Sequence, residues 1–121
     1  MLGPRQLKLV EALESGEYNQ TTRVLKNDEG YCCLGLACEL AKEDLGCDWA
    51  PGSNTFLGYG EILPREVMYY YNFRTTTGNF GLTRQSLSNL NDGVRGYCQN
   101  TFKEIAQVIR DNSEKIFSSP V

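Results

Sequence analysis

The spacing of apolar positions changes along the chain, and each change predicts an element. After Gly3-Pro4, residues Leu7, Val10 and Leu13 recur at helical intervals, Leu9 widens the stripe, and Ser15-Gly16 closes it. Pro4 suits the first turn, where its missing N–H costs nothing. A polar connection over 17–20 leads to Thr21–Lys26, whose β-branched content predicts a short strand, and Asn27-Asp28-Glu29-Gly30 reads as a turn. Tyr31 to Ala41 then abandons the one-sided pattern. Only Glu39 in this stretch is charged, and it holds no β-branched residue, so a helix buried on most sides is predicted rather than a strand. It is too short to span a membrane, which takes about 20 apolar residues.

Beyond Gly46 the pattern weakens. Residues 47–60 read as a loop anchored by Trp49 and Phe56, with a short strand at 55–57. Leu63 to Met68 predicts a helix with Pro64 in its first turn. Of the consecutive Tyr69, Tyr70 and Tyr71, at least one belongs to the core and one to the surface. The Thr75–Gly78 run suggests a hairpin or loop, and 80–82 a strand. A short helix from about Thr83 ends at Asn91-Asp92-Gly93, and 94–100 is again loop. Thr101-x-x-Glu104 is a capping box that opens a helix with Phe102, Ile105, Ala106 and Ile109 on one face, extended by Ile116. Residues 118–121 read as a frayed tail. The sum is an α+β fold: one mainly helical domain over 1–121, with four to five helices around the buried central one and a small antiparallel sheet of two to three short strands.

Composition narrows the chemistry. The 121 residues contain no histidine, which removes Ser-His-Asp and Cys-His catalysis and most catalytic zinc sites. A net charge of −3 argues against nonspecific nucleic-acid binding. Mixed polarity from Met1 onward shows no secretory h-region, so a cytosolic setting and reduced cysteines are expected. Five cysteines are an odd number, against a closed disulfide framework. Helical residues turn about 100° each, so Cys33 and Cys38 would point about 140° apart and Cys32 and Cys38 about 120°. No metal site and no cofactor are therefore expected, and the cysteines read as buried packing groups. The carboxylate pairs Glu11/Glu14 and Glu43/Asp44 fall on solvated faces.

Tyr31-Cys32-Cys33-Leu34-Gly35-Leu36-Ala37-Cys38 resembles the Tyr-Cys-Cys-Leu-Gly-Val-Leu-Cys-like core of a family of small tailed-phage and prophage proteins. The likeness extends to Ala12-Leu13 with Ser15-Gly16, Tyr18 and Gln20, to Leu63-Pro64, and to Leu90-Asn91-Asp92 with Thr101-Phe102 and Ile105-Ala106. Ala37 stands where a larger apolar residue is usual, and 94–100 separates Asn-Asp from the last helix. The resemblance implies a phage setting, hence host cytoplasm, without implying an activity.

In that setting, loop-borne Arg, Tyr and Asn/Asp residues predict stoichiometric binding rather than an enzyme. The expected ligand is a small nucleotide-like molecule, such as a nucleotide-derived host immune signal to be sequestered. A protein-binding antagonist of a host factor and a small Cys- or carboxylate-dependent enzyme are the alternatives. No nucleic-acid or membrane partner is expected, and homo-oligomerisation is left open. Tyr18, Gln20, Asn91 and Asp92 enter as ligand residues from the family pattern. Arg23, Arg74 and Arg84 enter from charge and loop position, Arg74 and Arg84 as phosphate contacts.

Overall fold

The computed structural model describes residues 1–81, 85–93 and 99–121. Among them run α1 (Pro4–Ser15), β1 (Lys26–Asn27), β2 (Gly30–Tyr31), α2 (Cys33–Leu45), α3 (Arg65–Tyr71), α4 (Leu87–Asp92), α5 (Phe102–Asp111) and α6 (Ser113–Ile116). The α+β class holds, with six helices where four to five are expected, because Ile116 sits in its own single turn after α5. β1 and β2 pair antiparallel, Lys26 opposite Tyr31 and Asn27 opposite Gly30.

The predicted central helix is α2, and its burial is all-round: Cys33 to Cys38 are buried without interruption, as is Ala41. Leu9, Val10 and Leu13 of α1, Val67 and Tyr71 of α3, Leu87 of α4, and Phe102, Ile105 and Ile109 of α5 complete the same cluster. The helix starts two residues later than Tyr31, because Tyr31 is held in β2. Its N–H donates to Asn19 O at 2.9 Å and its carbonyl accepts from Thr21 N at 2.8 Å. At Gly35 the backbone of Leu25 lies directly against the helix, and a Cβ there would collide with the Leu25 carbonyl. Leu25 itself donates its N–H to Gly60 O at 2.7 Å and accepts from Cys32 N at 3.1 Å. The predicted strand over 21–26 is therefore mostly absent. Its backbone groups are spent singly on several segments, leaving only Lys26 to pair in a ladder.

The tail is not frayed. Val121 O accepts from the N–H groups of Arg5 and Gln6 at 2.9 and 3.1 Å, satisfying donors that the first turn of α1 leaves free. The fully buried Gln6 completes the clasp: Nε2 donates to Tyr71 O and Ser119 O at 2.7 and 2.9 Å, and Oε1 accepts from Gly3 N at 2.9 Å. The capping box of α5 forms as read: Glu104 N donates to Thr101 Oγ1, and Thr101 N to Glu104 Oε1. Arg110 of α5 grips Glu14 of α1 with two nitrogens, at 2.9 and 2.8 Å. Both side chains are exposed, so solvent screening keeps the contribution of this pair small. Tyr71 is 1% exposed and donates its hydroxyl to Ala37 O, while Tyr69 is 62% exposed, the core–surface division expected of the tyrosine run. The predicted strands near 55 and 80 reduce to single bridges, Phe56 with Trp49 and with Tyr59, and Asn79 with Ser86; residue 82 and the expected helix start at Thr83 lie outside the described residues. No helix among the described residues is long and apolar enough to cross a membrane.

Gly35→Ala is expected to destabilise the fold by about 3 kcal/mol, because the methyl group meets backbone rather than a movable side chain. Urea denaturation followed by circular dichroism measures it, and a cost under about 1 kcal/mol would mean that Leu25 is free to move.

Candidate functional site

The structure distributes the predicted residues over two places. The first is the start of α2. Helix α4 carries Asn91 in its last turn, before Gly93 ends it in the left-handed conformation, and the amide turns inward. Asn91 Oδ1 accepts from Cys33 N at 3.1 Å and from Gln20 Nε2 at 2.9 Å. Its Nδ2 donates to Thr21 O at 2.8 Å and to Asp92 Oδ1 at 3.1 Å. Gln20 Nε2 also donates to Asn100 O at 2.8 Å, and Arg23 N to Asp92 Oδ1 at 2.8 Å. Gln20, Asn91, Asp92 and the Arg23 backbone thus form one polar knot, and Asn91 spends both donors and both acceptor positions inside it. Arg23 sits at φ 70, a left-handed conformation rare for a side-chain-bearing residue. The N–H bond to Asp92 holds it there. An open cleft of about 380 Å³ lies beside the knot, lined by Arg23, Glu61, Ile62, Ser88 and Asp92. Its two carboxylates outnumber its one cation, which disfavours an anionic ligand.

Tyr18 does not join this knot. Its ring meets Tyr31 edge-on at 6.2 Å, and Tyr31 lies 6.1 Å from Trp49. Lys26 places its ammonium 5.2 Å from the Trp49 ring, which already supplies these aromatics with a cation. Trp49 Nε1 donates to Glu39 Oε1 at 2.9 Å, and Lys42 pairs with Glu39 Oε2 at 3.0 Å. Burial, then the Glu39 carboxylate, raises the Tyr31 phenol above its ordinary pKa.

The second place is built around Arg74. Segment 72–74 pairs with 116–118: Phe73 bridges Phe117, Arg74 N donates to Ile116 O at 2.8 Å, and Ser118 N to Asn72 O at 2.9 Å. This fixes the Arg74 backbone, and Nε donating to Glu114 O at 3.2 Å fixes its guanidinium. Among the described residues the two terminal nitrogens make no hydrogen bond or ion pair. The Thr-rich turn beside it is ordered by Asn79 N on Thr75 Oγ1 at 2.9 Å and Thr77 Oγ1 on Asn79 Oδ1 at 2.7 Å. Gly78, at φ 70, is required there, since a Cβ would run into Leu87. Thr75, Asn79, Phe80, Glu114 and Lys115 join Arg74 around a cleft of about 380 Å³, which sets two cations against one carboxylate. Sequence reasoning missed Lys115, Phe80 and Asn79. The turn itself was visible in the Thr run and Gly78, but nothing local links it to a lysine some 40 residues on. Arg84, with Arg95, Tyr97 and Cys98, lies outside the described residues.

The thiols do not form a reactive centre among the described residues. Cys32 caps α2 by accepting from Gly35 N at 3.3 Å, and Cys33 donates to Leu87 O at 3.6 Å. Burial pushes Cys32 up to about 11 and raises Cys33 and Cys38 further. Cys47, half-buried, donates to Leu45 O at 3.4 Å. No group of three or more Cys, Asp or Glu among the described residues is placed to hold a metal ion.

Two outcomes follow from this geometry. Asn91→Ala is expected to lower stability by about 2–4 kcal/mol, since it strands the buried Cys33 N–H and the Thr21 carbonyl together. Thermal or urea unfolding reads this, and a loss below about 1 kcal/mol would show that water replaces the amide. The raised thiol pKa values also predict alkaline lability. The unfolded thiols ionise from about pH 8.5, whereas the folded ones resist, so stability is complete below that pH and falls as pH rises toward the folded value. Unfolding midpoints that stay level from pH 8 to 10.5 would contradict it.

The comparison with curated proteins gives no match, and neither does the comparison with solved structures. A family model described as "Domain of unknown function (DUF8296)" matches residues 5–113. That span runs from the first turn of α1 to the start of α6, taking in both the Asn91 knot and the Arg74 backbone. The chain belongs to the DUF8296 family.

Proposed function

We propose that the protein acts by stoichiometric binding of a small nucleotide-like anion, and that the ligand sits in the Arg74 cleft. The observation that carries this reading is the state of the Arg74 side chain. Nε is spent on the Glu114 carbonyl, so the planar fork is held in place with its outer nitrogens unengaged among the described residues. A fixed fork loses little entropy on binding and matches two phosphate oxygens at once. Lys115 adds a second cation, the half-buried Phe80 offers an apolar wall, and Thr75 and Asn79 offer polar atoms suited to sugar hydroxyls. The cleft volume falls within the ~300–1,000 Å³ usual for small-molecule sites.

Binding is favoured over catalysis because the described thiols are buried, hydrogen-bonded or both, and the chain contains no histidine. In a phage setting, such a protein would sequester a nucleotide-derived signal of host immunity in the host cytoplasm. Sequestration needs tight one-to-one capture and release of the same molecule.

Isothermal titration against cyclic nucleotides and ADP-ribose derivatives is expected to give one site per chain, with the ligand recovered unaltered by mass spectrometry. Arg74→Ala is expected to weaken binding about 10- to 100-fold, the usual effect of removing a charged hydrogen-bond donor. Absence of heat and of thermal shift across the panel would overturn the reading. Capture of one stoichiometric host protein by wild type and Arg74→Ala alike would then favour the protein-antagonist alternative. That alternative draws on exposed Leu57, Tyr59 and Ile62, with Leu57 held at φ 51 on its turn.

A further inference from the structure

The chain makes a tight hairpin at 56–59. Phe56 N donates to Tyr59 O at 2.8 Å and Tyr59 N to Phe56 O at 3.0 Å, so Leu57 and Gly58 are the whole loop. Both have positive φ, 51° and 87°. That is the signature of a type I′ turn, whose central positions favour Asn, Asp and Gly. A leucine there carries a steric cost that glycine would not. The side chain is also left in water, 39% exposed, although it is apolar. Its base is well ordered: Phe56 is fully buried and its ring meets Trp49 at 5.1 Å. Folding alone gives no reason to place a leucine at such a position, whereas a rigid apolar knob loses little entropy when it docks.

Tyr59 and Ile62 follow closely, so three of the six large exposed hydrophobic side chains among the described residues fall within 57–62. The charge carried with them has one sign. Between Lys42 and Arg65 the chain holds Glu43, Asp44, Asp48 and Glu61 and no base. Glu61 lines, with Ile62 and Asp92, the cleft that Arg23 also borders. Among the described residues neither of these two carboxylates is in an ion pair. We infer that the hairpin docks a partner protein through a segment combining apolar side chains with Lys or Arg. Leu57 and Tyr59 meet the apolar groups, and a cationic side chain enters the cleft beside Glu61 and Asp92. A second copy of the chain would bring like carboxylates together, and an anionic lipid surface would be repelled by them. None of residues 57–62 lines the Arg74 cleft. The inference therefore goes beyond the small-ligand reading and supplies the partner chemistry of the protein-binding alternative.

The test is selection of a displayed random peptide library on the immobilised full chain, with the enriched peptides then titrated by fluorescence anisotropy. They are expected to pair Lys or Arg with Leu, Ile, Phe or Trp, to lack acidic residues, and to bind more weakly as salt rises. Leu57→Asn and Glu61→Lys are each expected to weaken them about 10-fold or more. Tyr69→Ala, which removes an exposed aromatic outside the hairpin, is expected to bind them as the wild type does. Leu57→Asn is also expected to unfold at the wild-type temperature or above, because asparagine suits the turn. No enrichment, enrichment of peptides without basic residues, or an equal loss in Tyr69→Ala would overturn the inference. So would self-association of the chain that Leu57→Asn abolishes, which would make a second copy the occupant. A melting temperature lowered in Leu57→Asn by more than about 3 °C would make Leu57 a packing residue and overturn it too. None of these outcomes depends on a ligand at Arg74.

Discussion

A helix buried on every side must find partners inside the protein for the N–H groups of its first turn. That constraint governs this fold. At the start of α2, water is excluded by Leu25, Leu87 and the neighbouring helices, and an unpaired amide there would cost about 1–3 kcal/mol. Two side chains meet the need: the Cys32 thiol accepts from Gly35 N, and the Asn91 amide accepts from Cys33 N. Asn91 must come from elsewhere in the chain, so α4 has to dock end-on at this point. Its remaining bonds then draw in Thr21 and Gln20, and Asp92 draws in Arg23. The capping of one helix thereby orders the otherwise irregular stretch 20–23.

The same constraint separates structure from function. Polar residues that look available in a loop are consumed when the loop lies over a buried helix end. Asn91 has both donors and both acceptor positions, and Gln20 its Nε2, directed into the protein, and Cys32 serves as a cap with its thiol held neutral by burial. Arg74 is ordered by a different device, the short pairing of 72–74 with 116–118, which uses backbone groups and leaves the terminal guanidinium nitrogens without a hydrogen bond among the described residues. A rigid support beneath an unspent cation is what a binding site requires, and the knot at α2 offers support with the Asn91 amide already used.

Several features of the fold are legible in the sequence, each for a local reason. Thr101 and Glu104 are three residues apart and cap one helix by direct reach, so their box follows from spacing alone. Leu9, Val10 and Leu13 share a face of α1, and the uninterrupted apolar run of α2 implies burial all round. Gly16, Gly46 and Gly93 end helices in the left-handed conformation that glycine adopts without strain. The strand expected at 21–26 is realised only at Lys26, because β-branched content expresses fit to a sheet and the two-residue β2 is too short to pair with the rest. The tail expected to fray is held by Gln6 and the first turn of α1, partners more than 100 residues away in sequence.

The sequence by itself determined the helices, their apolar faces, the burial of the cysteine-rich segment and the absence of imidazole chemistry, because these depend on residue type and on spacings within one or two turns. The tertiary structure alone decided which polar residues are spent and which are free. Asn91 and Arg74 both stand beside turn-like sequence, yet one faces a buried helix end and the other the solvent side of a backbone ladder. That difference is set by which distant segment covers each residue, and no pattern confined to neighbouring positions encodes it.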